Sequence, residues 1–211
     1  MLKKIAVVLS TFLLALVILS ASILHSSNTK TYVFSAAPSP TPEGGSENKE
    51  IKIDYIFPYP GKIYPDSPLW FIKALRDKLW YGVTTSTSRK AELLLLFADK
   101  RLLAAKTLFE KDKPSLAVTT LTKAEKYLEQ AVQMEEKNRQ AGMETKEFLA
   151  RLANASLAHW RVIEEILDAA PEDARPEVIK VEDYAKNAYK ETRDTLQSQG
   201  IAPPKNPIDS N

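Results

Sequence analysis

The chain has 211 residues, of which 44% are hydrophobic and 27% charged, a composition that fits one globular domain with appendages and excludes a wholly disordered protein. Its formal charge of +2 traces to Lys3 and Lys4 at the start, and the remainder is balanced, so the basic excess of a phosphate-binding surface is missing and no nucleic-acid partner is expected. Cysteine is absent, which excludes disulfides, thiolate metal sites, a cysteine nucleophile and a lipidated cysteine.

After Met1-Leu2-Lys3-Lys4, residues Ile5 to Leu24 form a 20-residue stretch without a charge, long enough to cross a hydrocarbon core as a helix. Residues 1–24 are therefore read as a signal peptide, with Ser20-Ala21-Ser22 as the cleavage candidate, or as an uncleaved membrane anchor. Both readings place the rest of the chain outside the cytoplasm. Residues 25–49, including SAAPSPTPEGGSENK from Ser35, are too rich in proline, glycine and serine to pack and are expected to be a disordered tether. Residues 201–211 are expected to be a disordered tail.

Residues 50–200 carry the folded domain. Glu50 to Phe57 alternates, with Ile51, Ile53, Tyr55 and Phe57 on one side. A single strand has no partner in the chain, so this segment is expected to lie extended on helices or to pair with another molecule. Asp66-Ser67-Pro68 predicts the start of a first helix reaching about Tyr81, with Leu69, Ile72, Leu75 and Leu79 as one apolar face, widened by Trp70, Phe71 and Trp80, and Gly82 as a left-handed stop. A second helix is expected from about Arg89 to Lys111, broken by Asp112-Lys113-Pro114. A third follows to about Ala141, antiparallel to the second, with Gly142 as its terminator. A fourth from about Glu144 to Ala169 turns Phe148, Leu149, Leu152, Ala155, His159, Ile163, Ile166 and Leu167 inward, and a fifth runs from Pro176 to near Gly200. The fold class is all-α: an antiparallel helical bundle of about four long helices and a shorter leading one, behind an N-terminal transmembrane or signal helix.

The block Gly61-Lys62-Ile63-Tyr64-Pro65-Asp66-Ser67-Pro68-Leu69-Trp70-Phe71-Ile72-Lys73, followed by Arg89-Lys90-Ala91-Glu92-Leu93 and Ala98-Asp99-Lys100-Arg101-Leu102, resembles an uncharacterised bacterial family, domain of unknown function 5667. The resemblance covers roughly Gly61 to Gln133, with His159 and Pro171 to Pro176 similar to a downstream part of some members. Its motif residues here are Pro65, Asp66, Ser67, Pro68, Lys90, Ala91, Glu92 and Leu93. It implies an exported or membrane-tethered helical domain and no particular reaction. The link Thr84-Thr85-Ser86-Thr87 departs from the more acidic or proline-containing link expected of the family.

Histidine occurs only at positions 25 and 159, so acid–base or triad chemistry would rest on His159 alone, a residue of an inner helical stripe where a hydrogen-bonded core histidine is the common case. A di-iron bundle needs paired Glu-x-x-His motifs; three residues before His159 stands Ser156, and no metal is expected. Phosphate-binding glycine loops, Gly-x-Ser-x-Gly and His-Glu-x-x-His are absent, so no cofactor or catalytic residue is assigned. Trp70, Phe71, Trp80 and Tyr81 cannot all face one way, and whichever of them is exposed is a candidate partner-binding patch. The expected function is a non-enzymatic domain, tethered to or secreted from the cytoplasmic membrane through residues 5–24, that acts through contacts with a protein of the bacterial cell envelope. The alternative is an envelope sensor holding a small apolar ligand between helices, which requires an internal cavity; a third reading is an enzyme with an unusual carboxylate or tyrosine site, which a polar-lined pocket converging on Glu, Tyr or His159 would favour.

Overall fold

A computed structural model describes residues 53–206. Five helices follow one another with short connections: α1 (Trp70–Val83), α2 (Thr87–Glu110), α3 (Pro114–Gln140), α4 (Lys146–Ala169) and α5 (Arg175–Ser198). Residues 5–24 lie outside the described residues, among which no helix is long and apolar enough to cross a membrane.

Local chemistry sets the helix ends. Ser86 caps α2 by accepting the Arg89 N–H, Asp112 turns the chain at φ 55° ahead of Pro114, and Gly142 closes α3 at φ 79°, a backbone angle that disfavours any side chain. The expected stop at Gly82 is not used. The helix runs on to Val83, and Thr84, in extended conformation, directs both its N–H and its hydroxyl to the carbonyl of Trp80. At the other end α1 starts at Trp70 rather than Asp66, because residues 65–69 form turns in which Tyr64 and Ser67 carbonyls accept the N–H groups of Ser67 and Trp70.

The four long helices form the bundle. The α2–α3 hairpin and the α4–α5 pair pack side by side, so that the order around the bundle is α2, α3, α5, α4. Its interior is a stack of leucines and isoleucines shielded from solvent, among them Leu102, Leu121, Leu128, Leu152 and Ile163, with alanines such as Ala98, Ala124 and Ala155 allowing close helix approach. Residues 53–57 lie on this core through Ile53, Tyr55 and Phe57, as one of the two outcomes expected for the alternating segment had it, but not as a regular strand: the Tyr55 N–H closes a tight turn onto the Ile53 carbonyl, and residues 50–52 are outside the described part. Ile201 continues the packing beyond α5 against Leu149, Ala153 and Leu196.

The orientation of α1 divides the apolar face read from periodicity: Leu69, Ile72, Leu75 and Leu79 are exposed together with Phe71 and Val83, and of that face only Trp70 and Trp80 turn to the bundle. The side turned to the bundle carries Trp70, Lys73, Asp77, Trp80 and Tyr81, of which Asp77 is buried and the others half-buried.

This orientation makes leucines of similar spacing energetically unlike. Leu128→Ala is expected to lower unfolding free energy in urea by about 2–5 kcal/mol, and Leu75→Ala to change it by no more than about 0.5 kcal/mol. Equal losses at the two positions would contradict the orientation of α1.

Candidate functional site

Three polar residues interrupt the apolar stripes of three helices and meet in the middle of the bundle. His159 of α4 has no exposed surface; its Nδ1 lies 2.7 Å from Glu125 Oε1 of α3 and its Nε2 lies 3.0 Å from Asp99 Oδ1 of α2. Since both partners are carboxylates, an imidazolium satisfies them by donating from both nitrogens. Tyr55, from the segment ahead of α1, donates its hydroxyl to Asp99 Oδ2 at 2.8 Å, and Phe57 lies beside the imidazole with ring centroids 5.6 Å apart. One chain of hydrogen bonds therefore joins that leading segment, α2, α4 and α3.

The electrostatics follow from this geometry. Complete burial opposes the charge on His159, but the negative charge of Glu125 and the hydrogen bonds to Asp99 and Glu125 outweigh it, raising the pKa from 6.5 to about 9. Burial, reinforced by the adjacent Asp99, pushes the Tyr55 phenol well above its ordinary value, so it remains a donor. Glu125 Oε2 is buried without a hydrogen-bond partner.

Both ring nitrogens of His159 are engaged and the ring is sealed from solvent, while the hydroxyl of Ser156, one turn earlier, donates to the Leu152 carbonyl at 2.8 Å. Among the described residues no group of three or more His, Asp or Glu side chains is disposed to hold a metal ion. A cleft of about 320 Å³ lies between α3 and α5, open to solvent and lined by Glu129, Asp183, Tyr184 and Glu191 together with Val132 and Ala188.

A second constellation anchors α1. Arg101, nearly buried, places its guanidinium 4.6 Å from the Tyr127 ring centre, 5.6 Å from Phe97 and 5.9 Å from Trp70, while Trp80 meets Phe97 edge-on at 6.5 Å. Lys73 donates to the carbonyls of Pro60 and Ile63, closing the loop ahead of the helix, and its burial lowers its pKa to about 8. Some of the motif residues belong to the same anchorage. Asp66 accepts from Lys113 at 2.8 Å and Lys111 at 3.4 Å, so the hydrogen bond to Lys113 holds its carboxyl below the usual range and joins the front of α1 to the α2–α3 turn. Ser67 Oγ accepts the Leu69 N–H between Pro65 and the exposed Pro68, Lys90 lies over the Tyr81 ring, Ala91 and Leu93 are buried, and Glu92 accepts from Arg151 of α4.

Of the four aromatic candidates, the structure turns Phe71 outward and sets Trp70, Trp80 and Tyr81 against the bundle. The reading of the sequence overlooked Asp99, Glu125 and Tyr55 as partners of His159. A signal was present: Asp99 lies four residues after Leu95 and three before Leu102, and Glu125 lies four after Leu121 and three before Leu128, so each occupies an apolar stripe.

These features define a helical bundle sewn together by a sealed ionic cluster, with a short helix mounted on its flank apolar side out. The sequence pattern of the domain of unknown function 5667 matches residues 62–173, more than half of the chain, and the protein belongs to that family. The match reaches beyond Gln133 to take in α4, and so includes Asp99, Glu125 and His159 but neither Tyr55 nor α5. No curated protein and no solved structure matches the chain.

The pH dependence of stability has a definite sign. A folded-state pKa above the unfolded value stabilises fully below about pH 6.5 and is lost as pH rises through about 9, an effect of about 3 kcal/mol for His159. Lys73, lowered from 10.5 to about 8, acts in the opposite sense above pH 8, so the comparison is between variants. Urea unfolding across this window is expected to show a steeper alkaline loss in the native chain than in His159→Gln. Asp99→Asn, which preserves shape, should also flatten the slope, and equal slopes in all three would contradict the cluster.

Proposed function

We propose that the protein is a non-enzymatic docking domain of the bacterial cell envelope, held at the outer side of the cytoplasmic membrane through residues 5–24 and working by contact rather than by turnover. The observation that carries this reading is the outward stripe of α1, where Phe71, Ile72, Leu75, Leu79 and Val83 stand on one face of a 14-residue helix. Scattered exposed leucines need no explanation, but a continuous stripe on a helix fixed from beneath by Arg101, Lys73 and Asp66 is a preformed contact surface. Anchored in this way, the stripe meets a partner without an ordering cost in the helix. The motif residues Asp66, Ser67 and Lys90 support the same reading, because their contacts are made at α1 and its entry. An envelope protein is the partner expected from sequence; the alternative, a small apolar ligand between the helices, has less support because the bundle interior is filled by buried leucine and alanine side chains.

The docking reading is tested in cells with a photoreactive residue in place of Leu75 or, on the far side of the bundle, of Lys180. Leu75 is expected to yield adducts that disappear when Leu79→Glu is added, and Lys180 none. Absence of any adduct at Leu75 would remove the contact surface. The location is tested separately by reporter fusions after Asn48, expected to be active outside the cytoplasm; activity only inside it would contradict the tethering.

A further inference from the structure

We infer that the surface α1 meets is the lipid bilayer itself, the outward stripe lying in the headgroup region of the membrane that holds residues 5–24. This rests on the docking reading above and names the partner of the same face. Three observations favour lipid over a protein. The exposed residues of α1 are Phe71, Ile72, Leu75, Lys78, Leu79, Gly82 and Val83: apolar groups, one lysine and no acid, since the only carboxylate of the helix, Asp77, is buried and paired with Arg76. An apolar face flanked by a basic side chain is the composition that settles among acyl chains and anionic headgroups.

The footprint is small. Fourteen residues of helix extend about 21 Å, and a face of that length about 10 Å wide covers a few hundred Å², below the roughly 800 Å² per partner of a stable protein interface. The same limit disfavours a second copy of the chain docking face to face through α1. A bilayer contact escapes it when the loss of translational freedom is borne by another segment. The sequence reading of residues 5–24 as a membrane segment and of 25–49 as a proline-, glycine- and serine-rich tether supplies such a segment, on which the stripe would meet lipid at raised effective concentration. The third observation is the mounting: the polar and aromatic underside of α1 is fixed to α2 and the preceding loop, so the apolar side faces outward without any partner to induce it.

The absence of cysteine allows single-cysteine spin labels in the full chain. Phe71→Cys, Leu75→Cys and Leu79→Cys, with Lys180→Cys on α5 as the reference, are reconstituted into vesicles of phosphatidylethanolamine with and without phosphatidylglycerol. Relative accessibility to oxygen and to a water-soluble nickel chelate then reports depth. The stripe labels are expected to shift toward oxygen, more so with phosphatidylglycerol, while the α5 label stays aqueous. Adding Ile72→Glu should return the Leu75 label to water without changing the circular dichroism. Aqueous stripe labels would overturn the bilayer assignment, as would spin–spin broadening from a second copy. If they are aqueous and Leu75 photo-adducts contain a protein, docking stands and its partner is that protein; if they are aqueous and no adduct forms, both readings fail.

Discussion

Everything else in the bundle depends on one interaction, the imidazolium of His159 held between Asp99 and Glu125. Charges sealed from water are costly unless each finds an opposite charge in good geometry, and removing one partner from such an arrangement costs about 3–5 kcal/mol because the others are left buried and unpaired. The three residues come from α4, α2 and α3, and Tyr55 extends the chain to the segment ahead of α1. Leucine packing holds the helices together, but leucines tolerate sliding and rotation; hydrogen bonds from both ring nitrogens do not. The cluster thus specifies helix register, and with Thr145, whose hydroxyl donates to the buried Glu135 at 2.6 Å, it fixes how α4 enters the bundle.

A bundle fixed internally by such a cluster can carry an awkward element on its flank. The helix α1 turns its aliphatic stripe away from the core because its other side offers more to the bundle: the face of Trp70 for the Arg101 guanidinium, a lysine that closes the preceding loop onto the helix, and a Trp80–Phe97 edge contact. An isolated helix of this length is marginal in water. Anchored by these contacts and by Asp66 at its entry, it presents an exposed apolar surface among the described residues. The buried ionic cluster and the exposed apolar stripe are two sides of one design in which polar groups do the fixing and apolar groups remain available for contact.

Much of this was legible in the sequence and some was not. Spacing of leucines and alanines located all five helices to within a few residues, and the Asp112-Lys113-Pro114 and Gly142 signals marked real turns, because these are local effects of backbone geometry. The bonding of His159 was within reach: three helices each place one polar residue in an apolar stripe, and buried polar groups seek one another. The direction of α1 was not. Periodicity defines a stripe but not what the stripe faces, and the rule that apolar sides turn inward fails where cation–aromatic contacts satisfy the other side. Gly82 misled for a similar reason, since Thr84 supplied the helix end through its own side chain.

The central claim is tested most directly by nitrogen-15 NMR of the histidine side chains, a spectrum with only His25 and His159 to assign. At neutral pH the His159 ring is expected to show both nitrogens protonated and slowly exchanging, with deprotonation deferred to about pH 9. A His159 ring with one bare nitrogen at pH 7, titrating near 6.5, would contradict the imidazolium on which the account of the fold rests.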